Sequence, residues 1–135
     1  MITAVDTNVL IDILTADPGF RDDSLFALRR CLAEGTVVAC DVVWAEVVAA
    51  FPDEHAADTA LRGFPVAFEP IGVTAASRAG AAWRAYRNRG GPRERLVTDF
   101  LVGAHALEHA DRLLTRDRGF HRTAFAGLTI LDPSA

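Results

Sequence analysis

Apolar residues fall into short blocks separated by acids, glycines and prolines, and the blocks alternate between strand-like and helix-like spacing. The first block, Ile2 to Val5, is a β-prone run ending at Asp6-Thr7-Asn8, after which Val-Leu-Ile-Asp-Ile-Leu takes up helical spacing. Asp22 or Asp23 is placed to cap a helix running to Glu34, and Gly35 stands where a left-handed C-cap belongs. Residues 36–40, short and β-branched, predict a buried strand. Asp41 is an N-cap candidate for a helix over 42–51 that Pro52 ends; Asp53 opens a short helix to Leu61, and 65–71 read as a strand. Thr74 can cap a long helix over 75–89, closed by Gly90-Gly91-Pro92. Thr98 and Asp99 begin a helix over 100–110, residues 110–117 pass into a strand ending at Asp117, and 128–131 form a last strand.

Strands alternating with helices imply an α/β fold: a mainly parallel central sheet with helices on both faces, three layers in all, joined by right-handed crossovers. The 135 residues carry no internal repeat, low-complexity tract or linker, so one domain over 1–135 is expected. Every apolar run is interrupted well before the ~20 residues a bilayer span needs, and the N-terminus lacks the basic region of a signal peptide. A cytoplasmic protein without a membrane partner is therefore expected. Cys31 and Cys40 sit in apolar settings without metal-ligand spacing, which predicts buried free thiols.

The net charge of −4 hides a division. Residues 1–70 hold four arginines against twelve acids, whereas 71–135 hold ten arginines against six. Arg87, Arg93 and Arg95 lead up to Asp99, and Arg112, Arg116, Arg118 and Arg122 surround Asp117; these arginines are either solvated helix faces or phosphate contacts. Lysine is absent, which excludes a P-loop and a Schiff-base enzyme.

Four acids stand out. In an open parallel sheet, ligands bind at the carboxyl ends of strands where strand order reverses. Asp6 ends the first strand and Asp117 a later one; Asp99 lies at a helix start, and Glu46 sits about one and a half turns into the helix after the second strand, amid apolar neighbours. Carboxylates gathered at one edge repel unless a cation joins them, and Mg²⁺, with Mn²⁺ as a substitute, takes such oxygen ligands. The chemistry that follows is phosphodiester hydrolysis without a nucleophilic side chain.

The segments Val-Asp6-Thr7-Asn8, Trp-Ala-Glu46-Val, Thr98-Asp99-Phe-Leu-Val-Gly-Ala-His-Ala and Leu-Leu-Thr115-Arg-Asp117-Arg-Gly-Phe120 resemble, in order, the motifs of PIN-domain proteins and more narrowly of VapC-type toxins. The resemblance runs from residue 1 to about 131. It implies a three-layer PIN-like fold and a Mg²⁺-dependent endoribonuclease acting on structured RNA such as tRNA or rRNA. It further implies a homodimer held in check by a small VapB-like antitoxin. Asp6, Glu46, Asp99 and Asp117 match the family's acidic quartet, and Asn8 and Thr115 match polar residues beside it. His105 departs from the pattern, which more usually has a small residue there; it crowds the pocket, contacts RNA or, as the favoured reading, is a helix histidine with a partner.

A haloacid-dehalogenase-type phosphatase would share the layout, but it needs Asp-x-Asp and a lysine, and this chain has Asn8 and no lysine. A degenerate fold kept as an RNA- or antitoxin-binding module is the non-enzymatic alternative, against which the intact acids argue. Asp12 reads as surface cover on its helix; Trp44, Trp83 and Tyr86, at helical spacings beside alanines, read as core or dimer contacts rather than base-stacking platforms.

Overall fold

The computed structural model describes residues 1–92 and 95–134. Five strands, β1 (Ile2–Val5), β2 (Thr36–Ala39), β3 (Ala67–Phe68), β4 (Arg112–Leu114) and β5 (Ile130–Leu131), form one sheet in the order β3-β2-β1-β4-β5, and every pairing is parallel. The helices are α1 (Thr7–Leu14), α2 (Arg21–Glu34), α3 (Asp41–Ala49), α4 (Glu54–Arg62), α5 (Gly72–Asn88), α6 (Val97–His109) and α7 (Arg118–Ala124). Thr3 to Val5, Val37 to Ala39 and all of β4 are buried, as strands covered on both faces must be, so their sequences are near-continuously apolar rather than alternating.

The chain lays down β1, β2 and β3 in one direction, then returns to place β4 on the other side of β1. That reversal makes the gap between β1 and β4 the switch point of the sheet, the place where the connections diverge and leave a crevice at the carboxyl edge. Because α6 leads into β4 by a short connection, its amino end returns to this same edge.

Several expected boundaries move. Asp22 and Asp23 lie within the first turn of α2, which starts at Arg21, while Asp17 ties the preceding turn by accepting from the Gly19 and Phe20 amides at 2.8 and 3.0 Å. Gly35 is not a left-handed cap. At φ 158° and ψ −142° it is near-extended, and glycine is required by a close approach: a Cβ there would stand 1.9 Å from the Met1 carbonyl oxygen. Asp41 is the first residue of α3 rather than its cap, and its carboxylate accepts from the Ile71 amide at 2.9 Å, tethering the connection after β3. Helix α5 begins at Gly72, ahead of Thr74, and the strand read over 65–71 shrinks to two exposed residues at the sheet edge. Strand β4 ends at Leu114, so Asp117 lies beyond it, at the N-cap of α7, a helix the apolar pattern did not reveal.

Both cysteines are free and buried, as expected. Among the described residues no helix is long and apolar enough to cross a membrane.

Candidate active site

Three strand-to-helix junctions meet at the switch point. Asp6 leaves β1 as the N-cap of α1 and accepts from the amide of the next residue, Thr7, at 2.7 Å. Its other oxygen accepts from the Thr115 hydroxyl at 2.7 Å, and Thr115, fully buried just past β4, in turn accepts from the Asp117 amide at 2.9 Å. Asn8 closes this group: its amide donates to Thr115 Oγ1 at 3.4 Å and its carbonyl accepts from the Arg116 amide at 3.2 Å. Asn8 and Thr115 are thus the struts that join the end of β1 to the loop after β4.

On the other flank the Thr7 hydroxyl donates to Glu46 at 2.7 Å. Glu46 is exposed at the sixth position of α3, since Ala45, Glu46 and Ala49 face out while Val43 and Val47 carry the buried face. Its apolar surroundings in sequence therefore do not bury it. Asp117 pairs with Arg95 through two contacts, the longer at 3.3 Å. Asp99 accepts from the Leu96 amide at 3.0 Å and caps its own helix, where the amino-terminal dipole suits a negative charge. The charge of Asp99 also acts on Arg95, whose guanidinium is held in its charged form first by the bond to Asp117, against partial burial, and then by the fields of Asp117 and Asp99. The four acids are consequently strung along one edge, Glu46 through Thr7 to Asp6, Asp6 through Thr115 to Asp117, and Asp117 through Arg95 to Asp99.

They do not meet in a preformed cluster. Among the described residues no three His, Cys, Asp or Glu side chains are close enough to hold a metal ion. Arg95 neutralises Asp117 and the Leu96 amide engages Asp99, so the cation that relieves crowding in this conformation is an arginine. The donor set still fits a hard divalent ion in kind, being carboxylate oxygens alone, with the thiols buried elsewhere.

Two residues the sequence reading passed over belong here. Thr7 bridges Asp6 and Glu46. His121, 2% exposed on α7, brings Nε2 to 3.5 Å from Asp6, while its Nδ1 is buried without a partner among the described residues. Its seat depends on Gly103 of α6, where a Cβ would stand 2.4 Å from the Phe125 ring and 3.0 Å from His121 Nδ1. Burial works against the charge on Asp6, but His121, the Thr115 hydroxyl and the Thr7 amide together outweigh it and hold the carboxyl below its ordinary value. His121 was legible only as part of a helix at Arg118–Ala124, which is too short to announce itself by periodicity.

The arginines divide by what they touch. Arg116 is committed to Asp12, which accepts its Nε and Nη2 at 2.9 and 3.0 Å, and its guanidinium stacks 3.9 Å from the Phe20 ring centroid. Asp12 is accordingly no surface cover but a buried anchor that also accepts from Ser24 at 2.7 Å. Arg112 points inward, donating to Thr3 at 2.9 Å and Glu34 at 3.0 Å, and offers nothing to a phosphate. Arg118 pairs with Asp132 at 3.4 Å. Arg87 is exposed and stacks on Trp83, and Arg93 lies outside the described residues. His105 is 1% exposed and turned into the core beside His109, and its Nε2 has no partner among the described residues.

An open parallel sheet with acids and their hydroxyl struts at its switch point defines a class of α/β proteins that work at the carboxyl edge. Within that class the chain belongs to the PIN-domain family, whose model matches residues 3–126. The fold is similar to that of VapBC2 from Rickettsia felis bound to a DNA fragment from its promoter (20% identity, 98% of each chain covered, TM-score 0.77). It is also similar to VapBC-1 from nontypeable Haemophilus influenzae (18% identity, 100% of each chain, TM-score 0.77). The Mycobacterium tuberculosis VapC20, a sarcin-ricin loop cleaving toxin, shares it at 18% identity over 94% of this chain and 98% of that one, with a TM-score of 0.61. No curated protein sequence matches the chain.

Proposed function

We propose that this chain is a divalent-metal-dependent endoribonuclease, one PIN domain over 1–135, and the toxin of a VapBC-type pair. Its substrate is structured RNA of the tRNA or rRNA kind, its ion Mg²⁺ or Mn²⁺, its partners a VapB-like antitoxin and a second copy of itself, and its compartment the cytoplasm. The observation that carries the reading is the chain of contacts from Glu46 through Thr7, Asp6 and Thr115 to Asp117 across the sheet's switch point. Family membership and the likeness to VapBC complexes support it.

Asp6, Glu46, Asp99 and Asp117 would hold the ion, which when bound supplies Lewis-acid polarisation of a phosphodiester. Thr115 and Thr7 fix the rotamers of Asp6 and Glu46, leaving each carboxylate further lone pairs for a cation. His121 closes the buried side of Asp6. Arg95 must give up Asp117 for that carboxylate to turn inward, and a phosphate arriving at the edge is a competing anion able to draw the guanidinium away. Arg87, Arg93, Arg95 and Arg116 were candidates for RNA contacts; Arg87 and Arg95 suit the role best, because Arg116 is taken up by Asp12.

Cleavage of total RNA by the purified protein, with Mg²⁺ or Mn²⁺, with chelator, and as Asp6→Ala, tests the proposal. Cleavage that needs the ion and is lost in the variant is expected. Equal RNA binding by both proteins with no cutting by either would favour the non-enzymatic binding module.

A further inference from the structure

Beside the acids, where the end of α5 meets the loop leading to α6, lies a cavity of about 350 Å³ lined by Trp83, Tyr86, Arg87, Pro92, Arg95 and Leu96. That volume is at the small end for pockets that take small molecules, roughly 300–1,000 Å³, and suits one nucleotide better than a strand segment. Its composition, two arginines with an indole, a proline and a solvent-facing leucine, combines flat apolar faces with positive charge.

The floor is built. Tyr86 is buried, its hydroxyl donates to the Pro92 carbonyl at 2.6 Å, and Gly91 lies flush on its ring, where a Cβ would stand 2.4 Å from Cζ. Tyr86 therefore pins the loop and packs edge-on against Phe100, with ring centroids 5.4 Å apart. Trp83 is different. It is only half-buried, and the exposed Arg87 guanidinium lies over its ring, 4.5 Å from the centroid. A planar cation can reach that face from solvent, so a planar base can as well, with the guanidinium moving to the phosphate the base carries. On the far wall Arg95 lies 4.3 Å from the Phe120 centroid and holds Asp117, so the cavity adjoins the acidic edge through a single side chain.

We infer that this cavity is a nucleotide subsite: an unpaired base of a single-stranded RNA segment stacks on Trp83 while Arg87 and Arg95 take its flanking phosphates. The inference rests on the nuclease reading for its substrate class. It assigns the aromatic pair a use beyond core packing, with Trp83 as the stacking platform and Tyr86 as its support. It also couples binding to the acids, since a phosphate that engages Arg95 competes with Asp117 for it.

The test is fluorescence anisotropy of the full chain in chelator, so that nothing is cut, with a fluorescein-labelled octa-adenylate and with the same octamer paired in a duplex. Trp83→Leu should weaken single-strand binding at least about fivefold, the lower bound for losing one base–aromatic stack, and leave duplex binding within about twofold. Arg87→Gln should weaken both and lower the single-strand salt slope by about 0.7, the value for one phosphate. Trp83→Leu binding the octamer like wild type, or losing both ligands equally, overturns the inference, as does a change in sedimentation from dimer to monomer with unaltered octamer affinity. Should Trp83→Leu fail to fold, Trp44→Phe leaves Trp83 as sole indole. Its emission should then be quenched by the octamer and not by the duplex, and unquenched emission overturns the proposal. Metal-dependent cleavage that persists while these signs are absent sinks the subsite alone; the signs without any cleavage sink the nuclease reading alone.

Discussion

Removing Arg116 should cost this fold more than removing the carboxylate it pairs with. Asp12, 2% exposed, accepts from Ser24 Oγ, Arg116 Nε and Arg116 Nη2 at 2.7, 2.9 and 3.0 Å, so one buried carboxylate joins α1, α2 and the loop that carries Thr115 and Asp117. Arg116→Ala leaves that carboxylate with a single hydroxyl donor. Stranding one member of a buried ion pair costs about 3–5 kcal/mol, and because the Arg116 side chain is 30% exposed, water reaching the vacated space lowers this to about 2–4 kcal/mol. Asp12→Ala instead returns a partly exposed guanidinium to solvent, a loss of about 0–1 kcal/mol, and leaves the fully buried Ser24 hydroxyl without its acceptor, about 1–2 kcal/mol. Once Asp12 is gone, removing Arg116 strands nothing, so the double variant should fall short of the sum by most of the Arg116→Ala loss, about 2–4 kcal/mol. Urea denaturation of the four proteins measures all three quantities. An Asp12→Ala loss equal to or above that of Arg116→Ala, or additivity within about 0.5 kcal/mol, would refute the assignment of Asp12 as a buried charge dependent on Arg116.

Gly35→Ala should destabilise by about 2 kcal/mol or more, because its methyl would meet the Met1 carbonyl oxygen at 1.9 Å and pull β1 from β2; a melting temperature unchanged from wild type would contradict the close approach. Arg95→Gln should raise Mn²⁺ affinity several-fold, read by electron paramagnetic resonance of free Mn²⁺, since the cation competing for Asp117 is gone; unchanged affinity would mean that Arg95 does not gate that carboxylate. Burial, and after it the neighbouring His109, holds the His105 imidazole below its ordinary value of 6.5, so the folded state favours the neutral ring. Below about that pH the unfolded chain binds more protons than the folded one, and stability should decline as pH falls from 7.5 to 5.5. His105→Leu should flatten the part of that decline due to this ring, and an identical pH profile in the two proteins would remove His105 as its source.

Local pattern alone carried the alternation of strands and helices, because burial on both faces of a parallel sheet leaves short, solidly apolar strands that glycine and acids punctuate. It also carried Asp6, whose place at the junction of a strand and a helix is written in adjacent residues. What lay beyond it are the facts that depend on distant segments meeting. The reversal of strand order between β1 and β4, which creates the crevice, is a property of the whole sheet and of no single segment. Helix α7 has seven residues, too few for a period, and with it His121 stayed hidden.

The arginines make the division clearest. In sequence Arg112, Arg116 and Arg118 are alike, a run of positive charge around one acid. Folding sends Arg112 into the interior against Thr3 and Glu34, Arg116 onto Asp12 104 residues away, and Arg118 onto Asp132. The chain by itself determined which chemical groups were available: hard carboxylates, hydroxyls and guanidinium groups with no lysine. Only the tertiary structure decided which charges cancel inside the fold and which remain for a ligand. An ion pair is a matter of distance and burial, and neither is a property of a residue's neighbours along the chain.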